Sequence, residues 1–193
     1  MTTNLNTVFS ASVSLLNHDL SLDVGATIEH ALRVEKLGVA PCILGSTSMS
    51  QFLQISDKKK LIKEILKHKF QNLLIGTGCN SLGDTINLIR YSLDQGYEGA
   101  FLVMNPAYGS PKDLGVYNFF SNIQKAVSSK IVLYNFSKLA AGYAFSPDIV
   151  KKLVNEFGTE AFIGMKDSSG NCWNNLKINK FSMLVGNEIH LLK

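Results

Sequence analysis

Short apolar runs alternate with amphipathic stretches along the whole chain. Runs of mainly apolar and small residues at strand length predict strands, and apolar residues spaced three or four apart predict helices. The predicted strands cover 8–16, 39–44, 73–75, 100–104, 131–134, 161–166 and 183–185. The predicted helices cover 27–37, 56–67, 81–95, a stripe within 116–127, 147–154 and, weakly, 174–178. The chain therefore repeats a strand and a helix throughout.

Local signals mark where several helices begin. Ser56 is predicted to cap the second helix, and Ser81 with Asp84 resembles a capping box for the third. Ser146 precedes Pro147, and proline is favoured at the first position of a helix. These signals support the predicted alternation.

The strand ends follow a nearly constant period. The separations between successive ends are 29, 31, 29, 30 and 31 residues, measured at Leu16, Gly45, Gly76, Asn105, Asn135 and Lys166. A repeated strand–helix unit of this length predicts a parallel sheet. Near-equal units favour a (β/α)8 TIM barrel, although the period alone leaves an open doubly wound sheet as an alternative.

The length falls short of a complete barrel. A (β/α)8 barrel takes about 250 residues, whereas this chain has 193 residues and seven predicted strands. We expect one barrel domain over residues 1–193 that is truncated after strand seven, with the end of the chain inside the next helix. Unpaired parallel edges would make the isolated chain poorly soluble or associated.

Composition excludes several classes of protein. The chain is 46% hydrophobic with a formal net charge of +4, and all its basic residues except Arg33 and Arg90 are lysines. The lysines lie mostly on predicted helices, without a dense basic block. Nucleic-acid binding is therefore not expected. Cys42, Cys79 and Cys172 form neither a disulfide framework nor a metal-ligand pair, which favours a reducing cytoplasm. No apolar run or leader predicts a membrane or secretory segment.

The sequence also lacks the patterns typical of dinucleotide-binding and metal-binding sites. Gly76-Thr77-Gly78 lacks the third glycine of the dinucleotide fingerprint, because Ser81 stands in its place. The four histidines are scattered and show no metal-ligand spacing. We therefore predict neither a metal nor an organic cofactor.

The stretch from Ala161 to Asn171 carries the main chemical prediction. Its strand ends on Lys166, and small and polar residues follow at once. Partial burial at the end of a strand disfavours the ammonium, so the neutral amine becomes available to form a Schiff base with a carbonyl. The alternative is a strand-end lysine that simply reaches solvent.

Other strand ends supply groups that suit such a lysine. Thr47 and Tyr108 follow strands two and four, and Tyr134 lies at the end of strand five. The active site of a barrel lies at this end of its strands. A phenol can donate and accept protons beside an imine, and a threonine hydroxyl can pass the proton onward. The backbone amides of Ser46 and Thr47 can hold a substrate carboxylate.

These residues lie in four motifs that resemble one family, the dihydrodipicolinate synthase and N-acetylneuraminate lyase family of Schiff-base aldolases. Residues 45–49 resemble Gly-Thr-Thr-Gly-Glu, 105–108 resemble Thr-Pro-Tyr-Tyr, and 133–136 resemble the Tyr-Asn-x-Pro strand. The most specific motif, residues 164–170, resembles Gly-x-Lys-[Glu/Asp]-x-[Ser/Thr]-Gly. The resemblance extends from about Val8 to the end of the chain.

The resemblance implies a cofactor-free carbon–carbon lyase acting on pyruvate or another 2-keto acid. Lys166 would form the imine, Tyr134 and Thr47 would relay protons, and Tyr108 would complete the relay from the same or a neighbouring subunit. A homo-oligomer, a tetramer or a dimer, is implied as well. The partners would be small 2-keto acids and aldehydes.

Departures from the family pattern bear on specificity. Ser48 and Met49 replace Gly and Glu, Ser137 replaces the proline, and 14–16 read Ser-Leu-Leu where Thr-Pro-Phe is usual. Dihydrodipicolinate synthases usually carry an arginine shortly after Tyr-Asn-x-Pro, whereas here Lys138 follows and no arginine occurs after Arg90. Because a lysine cannot reproduce the bidentate fork of arginine, we expect a 2-keto-3-deoxy sugar acid aldolase. Dihydrodipicolinate synthase and a non-catalytic or fragmentary family member remain the alternatives.

Overall fold

The computed structural model describes residues 3–169, 172 and 175–187. Strands and α-helices alternate along these residues. The strands are β1 (Phe9–Ala11), β2 (Ala40–Ile43), β3 (Leu74–Gly76), β4 (Ala100–Met104), β5 (Lys130–Asn135), β6 (Phe162–Asp167) and β7 (Ser182–Val185). The helices are α1 (Val24–Lys36), α2 (Ile55–Ile65), α3 (Leu82–Asp94), α4 (Asp113–Val127) and α5 (Pro147–Phe157), with short 3-10 turns at Ser50–Phe52 and Ser137–Leu139.

The strands follow one another in the sheet in chain order, β1 to β7. Four pairs of neighbouring strands are parallel: β1 with β2, β2 with β3, β5 with β6 and β6 with β7. Parallel neighbours joined by helices are the repeating unit of a (β/α)8 barrel. The fold prediction is confirmed, with seven barrel strands in the described residues.

The chain divides into two compact units. The first consists of the described residues in Met1–Cys79 and Gly83–Phe101, and the second of those in Asn80–Leu82 and Leu102–Lys193. In the first, Leu61, Ile62 and Ile65 of α2 are fully buried. In the second, the Phe120 ring lies 5.7 Å from that of Phe145 and 6.2 Å from that of Phe162. Each unit therefore has its own apolar core.

The structure confirms one predicted helix start and contradicts another. Ser146 caps α5 by accepting a hydrogen bond from the Ile149 amide at 3.3 Å, with Pro147 at the first helical position. The prediction for Ser56 is wrong, because α2 begins at Ile55 and Gln54 occupies the cap position without a side-chain cap bond. The Ser56 hydroxyl instead contacts the Gln54 side-chain oxygen at 3.4 Å.

Two predicted elements also differ from the structure. The first strand ends at Ala11, five residues early, and Leu16 forms an isolated antiparallel bridge with Leu22. In the weak helix expected over 174–178, residue 174 lies outside the described residues and 175–178 are not helical. There the amides of Asn175 and Leu176 both donate to the Cys172 carbonyl and form a turn. The helix expected where the chain ends at Lys193 also lies outside the described residues.

Gly76 ends β3 where the backbone of the neighbouring strand comes close. A Cβ atom at this position would lie 2.3 Å from the Leu44 carbonyl oxygen and 2.7 Å from its carbon. Leu44 follows β2 directly and is fully buried, so its backbone has little room to move. Close packing of parallel strands therefore requires glycine here.

We predict that Gly76→Ala destabilises the chain by about 1–3 kcal/mol, the usual cost of forcing extra volume into a packed core. Urea denaturation followed by circular dichroism measures this loss. Gly115→Ala is the matched control, because a Cβ in α4 meets nothing within 4 Å and should stabilise the helix by about 0.5–1 kcal/mol. Equal midpoints for Gly76→Ala and the parent chain would contradict the proposed contact.

Candidate functional site

Lys166 and Tyr134 occupy opposite positions on two paired strands. The parallel register of β5 with β6 pairs Tyr134 with Lys166, and the Lys166 Nζ atom lies 4.6 Å from the centroid of the Tyr134 ring. Tyr134 is 5% exposed and Lys166 is half-buried. The amine therefore lies against the face of the aromatic ring, with part of its side chain open to solvent.

The next pair along the same two strands is polar and buried. Asn135 opposes Asp167, and neither side chain is more than 2% exposed. The Asn135 Nδ2 group donates to Asp167 Oδ1 at 3.0 Å. Because successive strand residues point to opposite faces, this pair lies on the other face from Lys166 and Tyr134.

Backbone amides complete the environment of the Asp167 carboxylate. The Ser169 amide donates to Oδ1 at 2.9 Å, and the Cys172 amide donates to Oδ2 at 2.8 Å. The chain that leaves β6 thus folds back around a buried carboxylate. A buried charge is tolerated only with such partners.

Cys172 belongs to the same cluster. Its thiol donates to the Phe145 carbonyl at 3.0 Å, and its side chain is fully buried. Burial, reinforced by the Asp167 carboxylate, raises the pKa of Cys172 to about 12. The thiol is therefore held neutral and acts as a hydrogen-bond donor.

Further hydrogen bonds attach the chain after β5 to the chain after β6. The Phe145 amide donates to Asn135 Oδ1 at 3.1 Å, and the Ser137 amide donates to Ser169 Oγ at 3.0 Å. The Ser168 amide donates to the Asn135 carbonyl at 2.8 Å. This network fixes the strand ends that carry Tyr134 and Lys166.

This network was not predicted from the sequence. Asn135 and Asp167 are polar residues directly after the two predicted site residues, and that adjacency was the available signal. It could be interpreted only once the register placed the two residues opposite each other. Gly170 and Asn171, the last residues of the predicted lysine stretch, lie outside the described residues.

Tyr108 lies in the loop after β4, and its side chain is 93% exposed. The loop is anchored by the Ala107 amide, which donates to Asn80 Oδ1 at 2.8 Å. Asn105, directly after β4, is 1% exposed, and within the described part of the chain its Oδ1 atom has no hydrogen-bond partner. The structure does not bring the Tyr108 ring into the Tyr134–Lys166 pair.

Ser46 and Thr47 belong to the first compact unit, in a turn after β2. The Met49 amide donates to the Ser46 carbonyl at 3.0 Å and closes the turn, in which Thr47 is exposed and Ser46 half-buried. Ser48 is 2% exposed and donates to the Ser12 carbonyl. Met49 adopts a left-handed conformation, with φ of 52°. Ser48 and Met49, the two positions of the turn that depart from the family motif, therefore have defined conformations or contacts.

The part of the chain that the structure describes contains neither a candidate metal site nor a candidate membrane span. No group of three or more His, Cys, Asp or Glu side chains there is placed to hold a metal ion. No helix there has both the length and the apolar character that a membrane span needs.

Comparison with known proteins identifies a family and several relatives of this chain. The sequence profile of the dihydrodipicolinate synthetase family matches residues 4–193. A 4-hydroxy-tetrahydrodipicolinate synthase from Methanothrix thermoacetophila is 30% identical over 166 residues, which are 84% of this chain and 54% of that protein. The chain spans about half the length of the curated relatives it matches.

Solved structures show the same fold. A 2-keto 3-deoxygluconate aldolase from Picrophilus torridus has a TM-score of 0.84 at 21% identity, covering 93% of this chain and 66% of that one. YagE from Escherichia coli K12, a prophage protein of the dihydrodipicolinic acid synthase family solved with pyruvate, has a TM-score of 0.75 at 26% identity. That match covers 87% of this chain and 56% of YagE.

We predict that Asp167→Ala lowers the free energy of unfolding by about 3 kcal/mol, because each buried donor left without an acceptor costs about 1–3 kcal/mol. Urea denaturation measures the loss. Glu160→Ala, which removes an exposed carboxylate from the same unit, should change stability by less than about 0.5 kcal/mol. If both variants unfold at the same urea concentration, Asp167 does not hold the loop after β6.

Proposed function

Because the chain belongs to the dihydrodipicolinate synthetase family, we propose that it is part of a Schiff-base lyase in which Lys166 reacts with pyruvate or a related 2-keto acid. The observation that carries the proposal is the half-buried Lys166 amine, 4.6 Å from the centre of the buried Tyr134 ring. The pyruvate bound to YagE supports the choice of a 2-keto acid. The class of enzyme is a carbon–carbon lyase.

The proposed reaction begins with the neutral Lys166 amine. Nζ attacks the 2-keto carbon, and the carbinolamine then loses water to leave an iminium. The iminium accepts the electron pair of the carbon–carbon bond that breaks, which gives an enamine of pyruvate and releases an aldehyde. Protonation of the enamine and hydrolysis of the imine return the free amine and pyruvate.

Proton transfer is assigned to hydroxyl groups. We propose that Tyr134 donates and accepts protons at the carbinolamine and the cleaved bond, since its ring already lies against Lys166. Thr47 would pass the proton onward, and the backbone amides of Ser46 and Thr47 would hold the substrate carboxylate. These assignments to Ser46 and Thr47 rest on their motif.

Tyr108 is assigned to the same relay as a residue that acts across subunits. Its 93% exposed ring is available to another copy of the chain. We therefore propose a homo-oligomer, in which a neighbouring subunit supplies or receives this hydroxyl. The three cysteines are free thiols, which suits the proposed reducing cytoplasm.

The aldehyde partner is proposed to be an uncharged sugar aldehyde, so that the enzyme would be a 2-keto-3-deoxy sugar acid aldolase. The supporting observation is Lys138, which is exposed in the 3-10 turn after β5, in a region without arginine. An ammonium offers a point charge, whereas an aldehyde that carries a carboxylate is held best by a bidentate guanidinium.

Dihydrodipicolinate synthesis is the second candidate. It is favoured by the 30% identical synthase from Methanothrix thermoacetophila. In that reaction the same pyruvate enamine would attack aspartate semialdehyde. The two candidates share Lys166 and Tyr134, so they differ only in the aldehyde.

We predict that pyruvate and borohydride label the chain at Lys166. Borohydride reduces the imine to a stable secondary amine, and mass spectrometry of peptides locates it. Lys166→Arg should abolish labelling, because a guanidinium stays protonated and cannot attack. Lys151→Arg on the exposed face of α5 is the matched control and should label like the parent chain.

Tyr134→Phe separates imine formation from proton transfer in the same experiment. It keeps the ring against the amine but removes the hydroxyl, so some labelling should survive while turnover slows by about 10²–10⁴-fold. Circular dichroism must first show that every variant is folded. Labelling of a folded parent chain at another lysine, or at none, would show that Lys166 is not the nucleophile and would favour a non-catalytic family member.

We predict that glyceraldehyde is a better partner for pyruvate than aspartate semialdehyde, by about tenfold or more in kcat/KM. The reason is that Lys138 cannot hold the carboxylate of aspartate semialdehyde in the bidentate way that a guanidinium does. A hydrogen bond to a charged group contributes about 1.5–3 kcal/mol. Lys138→Arg should raise kcat/KM for aspartate semialdehyde and leave that for glyceraldehyde unchanged. A parent protein that prefers aspartate semialdehyde would instead establish the second candidate.

A further inference from the structure

Lys58 is a buried lysine outside the proposed active site. It lies in the first turns of α2 and is only 2% exposed. Its Nζ group donates to the Gly78 carbonyl at 2.9 Å and to the Thr77 carbonyl at 3.3 Å. Lysine is almost never fully buried, and a cation near a helix N-terminus is also opposed by the helix dipole. The position is therefore costly for a purely structural lysine.

Cys79 places a sulfur atom beside this amine. The Lys58 Nζ atom lies 3.7 Å from Cys79 Sγ, and the thiol donates to the Thr77 carbonyl at 3.1 Å. Cys79 is a partly exposed free cysteine, whereas Cys42 and Cys172 are buried. The amine and the sulfur are thus adjacent, and small oxidants can reach the sulfur.

The turn that carries Cys79 is held in place. Gly78 adopts a left-handed φ of 52°, and a Cβ at this residue would lie 2.3 Å from Ser50 Oγ. Ser50 is fully buried, and its hydroxyl has no hydrogen-bond partner among the residues that the structure describes. Because the turn packs directly on Ser50, Cys79 stays beside Lys58. Holding two reacting groups together raises their effective concentration greatly.

The surroundings favour the neutral amine of Lys58, whereas burial and the Lys58 ammonium act in opposite directions on the pKa of Cys79. Burial lowers the pKa of Lys58, although Cys79 and Asp84 oppose the change, so the neutral nucleophilic amine becomes more accessible. Burial raises the pKa of Cys79, and the nearby Lys58 ammonium opposes that change by stabilising the thiolate. The thiolate is the form that peroxide oxidises.

We propose that Lys58 and Cys79 form a modification site at which hydrogen peroxide joins Nζ to Sγ as a sulfenamide. The proposal is independent of the lyase reaction, since neither residue takes part in it. The crosslink would tie the start of α2 to the turn after β3 and remove the positive charge of Lys58.

The chemistry balances in two steps. The Cys79 thiolate attacks one oxygen of hydrogen peroxide, which breaks the O–O bond and leaves a sulfenic acid and hydroxide. The hydroxide takes a proton from the Lys58 ammonium to give water and a neutral amine. Nζ then attacks the sulfur, the S–O bond breaks, and the departing hydroxide leaves as water with a proton from nitrogen. Peroxide is reduced, sulfur is oxidised, and two waters form.

The test is peptide mapping of the folded parent chain after titration with hydrogen peroxide. We expect a product in which the Lys58 and Cys79 peptides are joined with loss of two hydrogen atoms, and a thiol reductant should release both peptides. Trypsin should fail to cleave after Lys58 in this product. A product that keeps an added oxygen between the peptides contradicts the condensation step.

Variants separate the crosslink from general oxidation. Cys79→Ser and Lys58→Met should each abolish the joined peptide, whereas Lys59→Met, the matched control on the adjacent, more exposed lysine, should form it like the parent. In Lys58→Met, Cys79 should proceed instead to sulfinic acid, which a thiol reductant does not reverse. If Cys79 in the folded parent reaches sulfinic acid while Lys58 stays unmodified, the proposal is wrong.

Discussion

The buried carboxylate of Asp167 is the interaction on which the candidate site depends. It accepts hydrogen bonds from Asn135 and from the amides of Ser169 and Cys172, at 2.8 to 3.0 Å. These donors come from β5 and from the chain after β6, so one carboxylate holds both strand ends. An isolated charge in this place would cost several kcal/mol, and only its partners make the arrangement stable.

Because of this arrangement, the two faces of the β5–β6 pair have different roles. One face of the β5–β6 pair carries Lys166 and Tyr134, with an amine that is partly open to solvent. The other carries the closed polar pair, which has little freedom to move. A reactive lysine gains from such support, because its position does not have to be restored each time substrate binds.

Sequence periodicity predicted the fold well because a parallel barrel repeats one local unit. The fourth strand was predicted at residues 100–104, where β4 lies, and the helix start at Ser146-Pro147 was correct. Ser56 failed as a cap because Gln54 takes the extended conformation that precedes the helix, and Ser56 already lies inside α2. The Lys166–Tyr134 pair was predicted from strand ends alone. The Asn135–Asp167 pair was not, since adjacency in sequence does not reveal which residues a sheet places opposite each other.

The register of β5 with β6 also determines how this protein can change over evolutionary time. Side chains alternate between the faces with a period of two, so a shift of one residue exchanges the faces. A single-residue deletion within β6 could preserve a parallel strand while presenting Asp167 where Lys166 now lies. Substitutions can alter the chemistry of this site gradually, whereas a single-residue deletion in β6 ahead of Lys166 would replace an amine with a carboxylate in one step.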